Sequence, residues 1–154
     1  MAQIISYPTA TPASADYLVG SQKTTSGAPI NPTKKFLLSS VVEAGLGYTA
    51  YTALLTQTGV LAPVVDDLKN NTGATMTWTR TGVGTYLCTA SSGVFTATDK
   101  VQVFINQGKP GTIGTFIQWE RAGATTIGVD TYDIAGAAAD TKLDNAPIEI
   151  RIYT

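Results

Sequence analysis

The chain has 154 residues, a formal net charge of −1, one cysteine and no histidine, and 14% of its residues are charged. This length is enough for one domain with a substantial core, or for a smaller domain with an extended arm. The absence of a basic run argues against a nucleic-acid partner, and the absence of histidine argues against the common catalytic triads, general bases and zinc sites.

Residues 1–33 are predicted to form an extended arm. Prolines interrupt regular helix and central strand in this stretch, and the Ser, Thr and Ala side chains offer little to bury. We expect the arm to anchor the chain to another protein through two apolar clusters, and the alternative is a disordered tail. The N-terminus lacks a signal-peptide pattern, and no apolar run is long enough to span a membrane. The clusters are Ile4 with Ile5, and Tyr17 with Leu18 and Val19.

The next segment, "TKKFLLSSVVEAGLG", changes in character. Its apolar run from Phe36 predicts a short strand, and Ser40 and Glu43 have the spacing of a helix capping box. We therefore predict a brief strand followed by one or two helical turns that end at Gly45. Residues 1–47 form the predicted arm and anchor segment, which includes Phe36, and residues 48–154 form the predicted β-domain.

From Tyr48 onward the apolar residues recur with a period close to two. In "KVQVFIN" and in the closing "PIEIRIYT", alternate residues are apolar, which predicts strands with one buried face. Seven to nine such strands separated by glycine-rich turns predict an all-β protein with at most one or two short helices. The expected architecture is an antiparallel β-sandwich or an open barrel.

The stretch "TWTRTGVGTYLCTA", residues 77–90, contains a Trp followed by Tyr-x-Cys, as immunoglobulin domains do. That signature requires a second cysteine, and Cys88 is the only one in the chain. The stretch is better explained as a hairpin that turns at Gly82-Val83-Gly84, with Cys88 as a small buried residue.

Carboxylate pairs are the only candidates for acid–base chemistry. Asp66 with Asp67, and Asp130 with Asp133, could act in this way, but turn and capping roles are the more common use of such residues. The acidic stretch "VDTYDIAGAAADTKLD" offers oxygen ligands for calcium, yet it lacks the order of the EF-hand loop, so a solvated loop is expected. We expect no catalytic residue, no cofactor and no metal.

The aromatic residues suggest one further hypothesis. Several of them could form a platform for a sugar, because aromatic faces stack on carbohydrate, although most aromatic residues of β-proteins belong to a core or an interface. The best candidate for ligand contact is Trp119, with Glu120 and Arg121 beside it. The aromatic residues in question are Tyr48, Tyr51, Trp78, Tyr86, Trp119 and Tyr132.

Two stretches resemble bacteriophage virion structural proteins. "NPTKKFLLSSVVEAG" (31–45) is similar to a segment that follows an extended anchor in such proteins. The sequence from "YTALLTQTGVLAPVVDD" to "KVQVFIN" (51–106), together with the closing "IEIRIYT", is similar to their β-rich C-terminal module. The resemblance implies a spike, a head fibre or another capsid-surface component, and the short length argues against a long fibre shaft.

This resemblance implies a non-enzymatic structural protein made in the host cytoplasm and located in the virion. The implied partners are other copies of the chain, with a homotrimer favoured, and other virion proteins. The alternative function is a receptor- or glycan-binding β-sandwich module, whose partner would be a host surface receptor or glycan.

Overall fold

The computed structural model describes residues 12–13, 15–21, 33–97, 100–107 and 115–153. The chain divides into two compact units, Met1–Gly47 and Tyr48–Thr154. Within the described ranges, no helix is long and apolar enough to cross a membrane. The elements are β1 (Tyr17–Ser21), β2 (Thr33–Leu37), α1 (Leu38–Leu46), β3 (Tyr48–Thr56), β4 (Val64–Asn70), β5 (Met76–Gly82), β6 (Thr85–Ala90), β7 (Val101–Ile105), β8 (Phe116–Arg121), β9 (Thr126–Tyr132) and β10 (Ala146–Tyr153).

The first unit contains a two-stranded antiparallel sheet of β1 and β2. The expectation that residues 1–33 lack regular structure is therefore wrong for residues 17–21. The prolines at positions 12, 29 and 32 flank the two strands instead of interrupting them, so both strands keep the backbone N–H groups that the ladder needs. Ile4 and Ile5 lie outside the described residues.

Helix α1 follows β2 directly, as the sequence predicts, but its ends differ from the prediction. The N-cap is Leu37, which makes no side-chain capping hydrogen bond, so Ser40 lies inside the helix and the capping box does not form. The helix continues past Gly45 to Leu46, and its C-cap is Gly47, whose φ of 68° is the left-handed conformation that glycine adopts most easily at a helix C-terminus.

The second unit is an antiparallel β-sandwich, which confirms the predicted all-β class. One sheet has the strand order β4-β3-β10-β7, and the other has the order β5-β6-β9-β8. The described part of this unit thus contains two separate four-stranded sheets packed as a sandwich, and not an open barrel. The hairpin predicted at residues 77–90 is confirmed as β5 and β6.

Alternate residues of the strands form the core between the sheets. In β10, Ile148 and Ile150 are buried and the more exposed Ile152 packs against the core, while in β7 Val101 and Val103 are buried. These positions match the predicted inward faces of both strands. Cys88 is fully buried, also as predicted. The largest fully buried side chains are Tyr51, Leu55, Tyr86, Phe95, Ile127, Leu143, Ile148 and Ile150.

The segment with Asp66 and Asp67 belongs to β4, so the expected turn or short helix at this position is wrong. The strand pairs with β3 and contains a register shift opposite Thr52 and Ala53. Pairing along β3 supplies partners for the backbone of this acidic segment, and this tertiary interaction outweighs its low intrinsic preference for strand.

Three connections meet at one end of the sandwich, which is called the loop end below. They are residues 57–63, the β5–β6 turn and residues 133–145. Gln57 donates to the Gly59 and Leu61 carbonyls and accepts a hydrogen bond from the backbone of Thr141. Asp140 accepts hydrogen bonds from the β5–β6 hairpin. These bonds hold three otherwise irregular segments in one arrangement.

Candidate functional site

A surface groove lies on the side of the sandwich where β7 and β8 run. Each of these strands is the edge of its own sheet, and the two make few contacts with each other. The groove between and beside them has a volume of about 580 Å³. This size is within the usual range of sites for small ligands. Its lining residues are Thr52, Val103, Phe104, Ile105, Asn106, Ile117, Trp119, Pro147, Ile148 and Glu149.

Trp119 is the predicted ligand-contact residue that the groove contains. In β8 it alternates with Gln118 and Glu120, and its cross-strand neighbour Val129 is fully buried. Trp119 therefore projects from the core-facing side of the sheet. It nevertheless remains 38% exposed, because the groove leaves this side of the sandwich open.

The structure separates Trp119 from the two charged residues with which the sequence groups it. Glu120 lies over Gly128 on the opposite face of the sheet, where a Cβ on Gly128 would come within 3.1 Å of Glu120 Cγ. Arg121 donates hydrogen bonds to the carbonyl oxygens of Phe95 and Thr96. Neither residue lines the groove, because consecutive residues of a strand point to opposite faces and Arg121 is engaged with the 95–96 segment.

A row of side chains on the solvent face of the β4-β3-β10-β7 sheet borders the groove on the outer side of β7. Thr52, Glu149 and Phe104 lie side by side on β3, β10 and β7. The Glu149 carboxylate accepts two hydrogen bonds from Arg151, at 2.8 Å from Nε and 3.2 Å from Nη2. The guanidinium lies 4.8 Å from the Phe104 ring centre and 4.9 Å from that of Tyr48.

This arrangement gives Glu149 a fixed position and a neutralised charge. The hydrogen bonds that Arg151 donates to Glu149, together with its interaction with Tyr153, raise the pKa of Arg151, so the guanidinium stays protonated. Two aromatic rings restrict the guanidinium further through cation–π contacts. The carboxylate oxygens retain lone pairs for a ligand, since each oxygen can accept two hydrogen bonds.

The aromatic residues proposed as a sugar platform do not form one surface. Tyr51, Trp78 and Tyr86 are buried in the core. Tyr51 donates to Asp67 at 2.7 Å and accepts a hydrogen bond from the Trp78 indole at 3.3 Å, and burial raises its pKa. Asp67 is therefore a partner of a core tyrosine.

The second predicted carboxylate pair, Asp130 with Asp133, belongs to a strand and to a turn. Asp133 accepts hydrogen bonds from the backbone of Ala135 and Ala137 and so shapes the loop, and Asp130 lies in β9. Among the described residues, no three His, Cys, Asp or Glu side chains are close enough together to hold a metal ion. The hydrogen bonds of Asp133 thus form a turn at the start of the connection between β9 and β10.

The predicted anchor residues in the described part of the first unit lie together in the β1–β2 hairpin. Leu18 is paired with Phe36, and Tyr17 and Val19 belong to the alternate positions of β1. Tyr17 is 63% exposed, Leu18 46% and Val19 71%, while Phe36 is partly buried beside Gly20. Helix α1 also exposes Val41, Val42 and Leu46.

A second exposed apolar surface lies at the loop end of the sandwich and was not predicted. Loop tips are usually polar, whereas here five large aliphatic side chains are between 56% and 74% exposed. The hydrogen bonds of Gln57 and Asp140 hold the loops that carry them. Four of these residues lie in the loops, namely Val60, Leu61, Val83 and Ile134, and the fifth, Val64, is the first residue of β4 beside them; all five are called loop-end residues.

No protein family, curated protein or solved structure matches this chain.

Proposed function

We propose that the chain is a non-enzymatic structural component of a bacteriophage virion, of the spike, head-fibre or capsid-surface type, that is anchored through its N-terminal unit. The observation that carries the anchoring role is the surface of this unit. None of its described residues is buried, and its hairpin and helix expose six large apolar side chains. Such a surface is typical of an element that becomes buried against a partner.

The energetic argument for a partner is that ordering the N-terminal unit costs conformational entropy. Fixing the backbone costs about 1–2 kcal/mol per residue, and burial of apolar side chains is the main term that offsets this cost. None of the side chains of this unit whose burial the structure describes is fully buried, so we take the offset to come from the surface of a partner. Other virion proteins are the proposed partners, in line with the sequence resemblance.

Self-association of the β-sandwich is the second part of the proposal. The loop end exposes five large aliphatic side chains in loops that are already ordered, so association would bury them at little cost in loop entropy. A closed homotrimer is favoured by the resemblance to virion spikes and fibres. Light scattering should then give about three times the chain mass of 16.1 kDa.

The anchor is tested by particle incorporation. The pair of substitutions Tyr17→Ser and Val19→Ser removes two exposed apolar side chains, and deletion of residues 2–47 removes the whole unit. We expect both changes to abolish incorporation into particles while the thermal transition of the β-sandwich is unchanged. The control is Leu68→Ser, at a residue of the second unit that is 58% exposed. Normal incorporation of either anchor variant would overturn the anchoring role.

Association through the loop end is tested separately with Val60→Ser and Leu61→Ser in the full chain. These variants should be monomeric by light scattering at micromolar concentration, whereas the Leu68→Ser variant should keep the mass of the parent protein. A monomeric parent protein would contradict the proposed oligomer. An oligomer that tolerates both loop-end substitutions would place its interface elsewhere.

A further inference from the structure

The groove beside β7 combines two chemically different walls. Trp119 and Phe104 supply exposed aromatic surface, 38% and 47% of their area respectively, and aliphatic residues line the space near them. Thr52, Asn106 and Glu149 supply polar groups within the same 580 Å³. A ligand of this groove must therefore have both apolar and hydrogen-bonding surface.

The polar groups of the groove retain unused hydrogen-bonding capacity. The Thr52 hydroxyl and the Trp119 indole N–H have no hydrogen-bond partner among the described residues. Asn106 uses its side-chain oxygen to accept from the backbone of Gln107, which leaves its NH₂ group as a donor. Glu149 keeps acceptor capacity after binding Arg151. The groove thus presents both donors and acceptors.

The charges of the groove argue for an uncharged ligand. Glu149 and Arg151 neutralise each other through two hydrogen bonds, and the guanidinium lies against Tyr48 and Phe104. An anionic ligand would meet the Glu149 carboxylate, and a cationic ligand would compete with Arg151 for it. A purely apolar ligand would leave the Thr52 hydroxyl and the Asn106 NH₂ group without water or a partner, which costs about 1–3 kcal/mol for each polar group.

We infer that this groove binds a neutral carbohydrate. Pyranose rings have an apolar C–H face that can pack on the Trp119 or Phe104 ring, and hydroxyl groups that both donate and accept hydrogen bonds. On the solvent side of β7 the hydroxyls would donate to the fixed Glu149 carboxylate and accept from the Thr52 hydroxyl and the Asn106 amide. The Trp119 indole lies on the core-facing side of β8, so the ligand is an oligosaccharide that extends round the edge strand β7 and also accepts from this indole. The inference does not depend on the anchoring role, because the groove residues all belong to the second unit.

The first experiment is a glycan array probed with the full chain, with neutral hexose and N-acetylhexosamine oligosaccharides beside sialylated and sulfated ones. We expect binding to a subset of the neutral glycans. The chain has two tryptophans, and Trp78 is buried, so the neutral glycan that binds should change the fluorescence of Trp119 and protect it from acrylamide quenching. Binding to acidic glycans alone, or to no glycan at all, would overturn the inference.

Matched variants then locate the site by titration with the same neutral oligosaccharide. Trp119→Ala should weaken binding at least tenfold. Thr52→Val preserves the shape of the side chain and removes only the hydroxyl, so it should weaken binding about threefold to tenfold while the fold is kept. The control is Phe116→Ala, which removes a ring that is 57% exposed on the same strand but outside the groove.

The control variant should bind as the parent protein does, with its thermal transition as a check on folding. Unchanged affinity in both Trp119→Ala and Thr52→Val would overturn the assignment of the groove. Equal losses of affinity in Phe116→Ala and Trp119→Ala would indicate a binding site on another face of the sandwich. This result would also overturn the assignment of the groove. Loss of particle incorporation in the anchor variants with full glycan binding would separate the two proposals.

Discussion

Asp140 connects the long β9–β10 loop to the β5–β6 hairpin, and its replacement tests how the loop end is held. The carboxylate accepts hydrogen bonds from Arg80 at 2.9 and 2.7 Å, from the Gly84 backbone at 2.9 Å and from the Tyr86 hydroxyl at 3.2 Å. The Asp140→Asn substitution keeps the size of the side chain. It removes the charge and the bidentate pairing with Arg80.

The loss of stability expected for the Asp140→Asn variant follows from the lowered pKa of the Asp140 carboxyl. Hydrogen bonds from Arg80, with those from Gly84 and Tyr86, lower the pKa of Asp140 from 3.8 to about 2. A difference of this size between the folded and unfolded chain corresponds to about 2 kcal/mol. Because water screens a group at the surface, we expect the substitution to lower the free energy of unfolding by about 1–2 kcal/mol. For 154 residues this is about 3–6 °C in Tm.

The lowered pKa of Asp140 also determines in which direction its contribution to stability changes with pH. A carboxyl whose pKa is lowered in the folded state stabilises the fold above its unfolded pKa, and this stabilisation is lost as the pH falls through its folded pKa. The gap in Tm between the parent protein and the Asp140→Asn variant should therefore be largest above pH 5. It should shrink as the pH falls from 5 to about 2.

Calorimetry of both proteins from pH 2 to 7 measures this gap. The control is Asp144→Asn in the same loop, whose side chain makes no hydrogen bond to the described residues and whose substitution should leave Tm within about 1 °C. A Tm of the Asp140→Asn variant equal to that of the parent at pH 7 would show that Asp140 does not stabilise the loop end. A gap that stays constant down to pH 2 would show that the stabilisation does not depend on the charge of Asp140.

Three further predictions concern the sandwich. Gly84→Ala should lower stability by more than 3 kcal/mol in denaturant titrations, because the new Cβ would lie 2.7 Å from the Ala139 nitrogen and closer still to the Thr131 carbonyl oxygen. Gly59→Ala, also at positive φ but with open space around it, should cost only about 1–2 kcal/mol, and equal costs would contradict this account. Tyr51→Phe should cost about 1–3 kcal/mol by the same measurement, since it removes the acceptor of the buried Trp78 indole; an unchanged midpoint would show that this bond contributes nothing. The Cys88 thiol should not react with a thiol reagent until the chain is unfolded, because burial raises its pKa to about 12, and rapid labelling of the native protein would disprove this.

The N-terminal unit shows where reasoning from local composition fails. Proline content indicated an unstructured arm, yet residues 17–21 pair with residues 33–37. Proline affects only its own position and its neighbour, so its effect depends on whether it falls inside or beside a strand. Tyr17, Leu18 and Val19 are exposed in this hairpin, and their role as an anchor stays a prediction.

The β class, the hairpin at residues 77–90 and the buried faces of β7 and β10 could all be predicted from local patterns in the chain. These features depend on a period of two and on glycine turns, which are local properties of the chain. Only the tertiary structure decided that Thr52, Glu149 and Phe104 form one row, and that Trp119 faces the groove without Glu120 and Arg121. The physical reason is that alternation assigns each side chain to a face of its strand, whereas the neighbours across a sheet depend on which strands pair. That pairing joins residues far apart in sequence, and no local pattern specifies it.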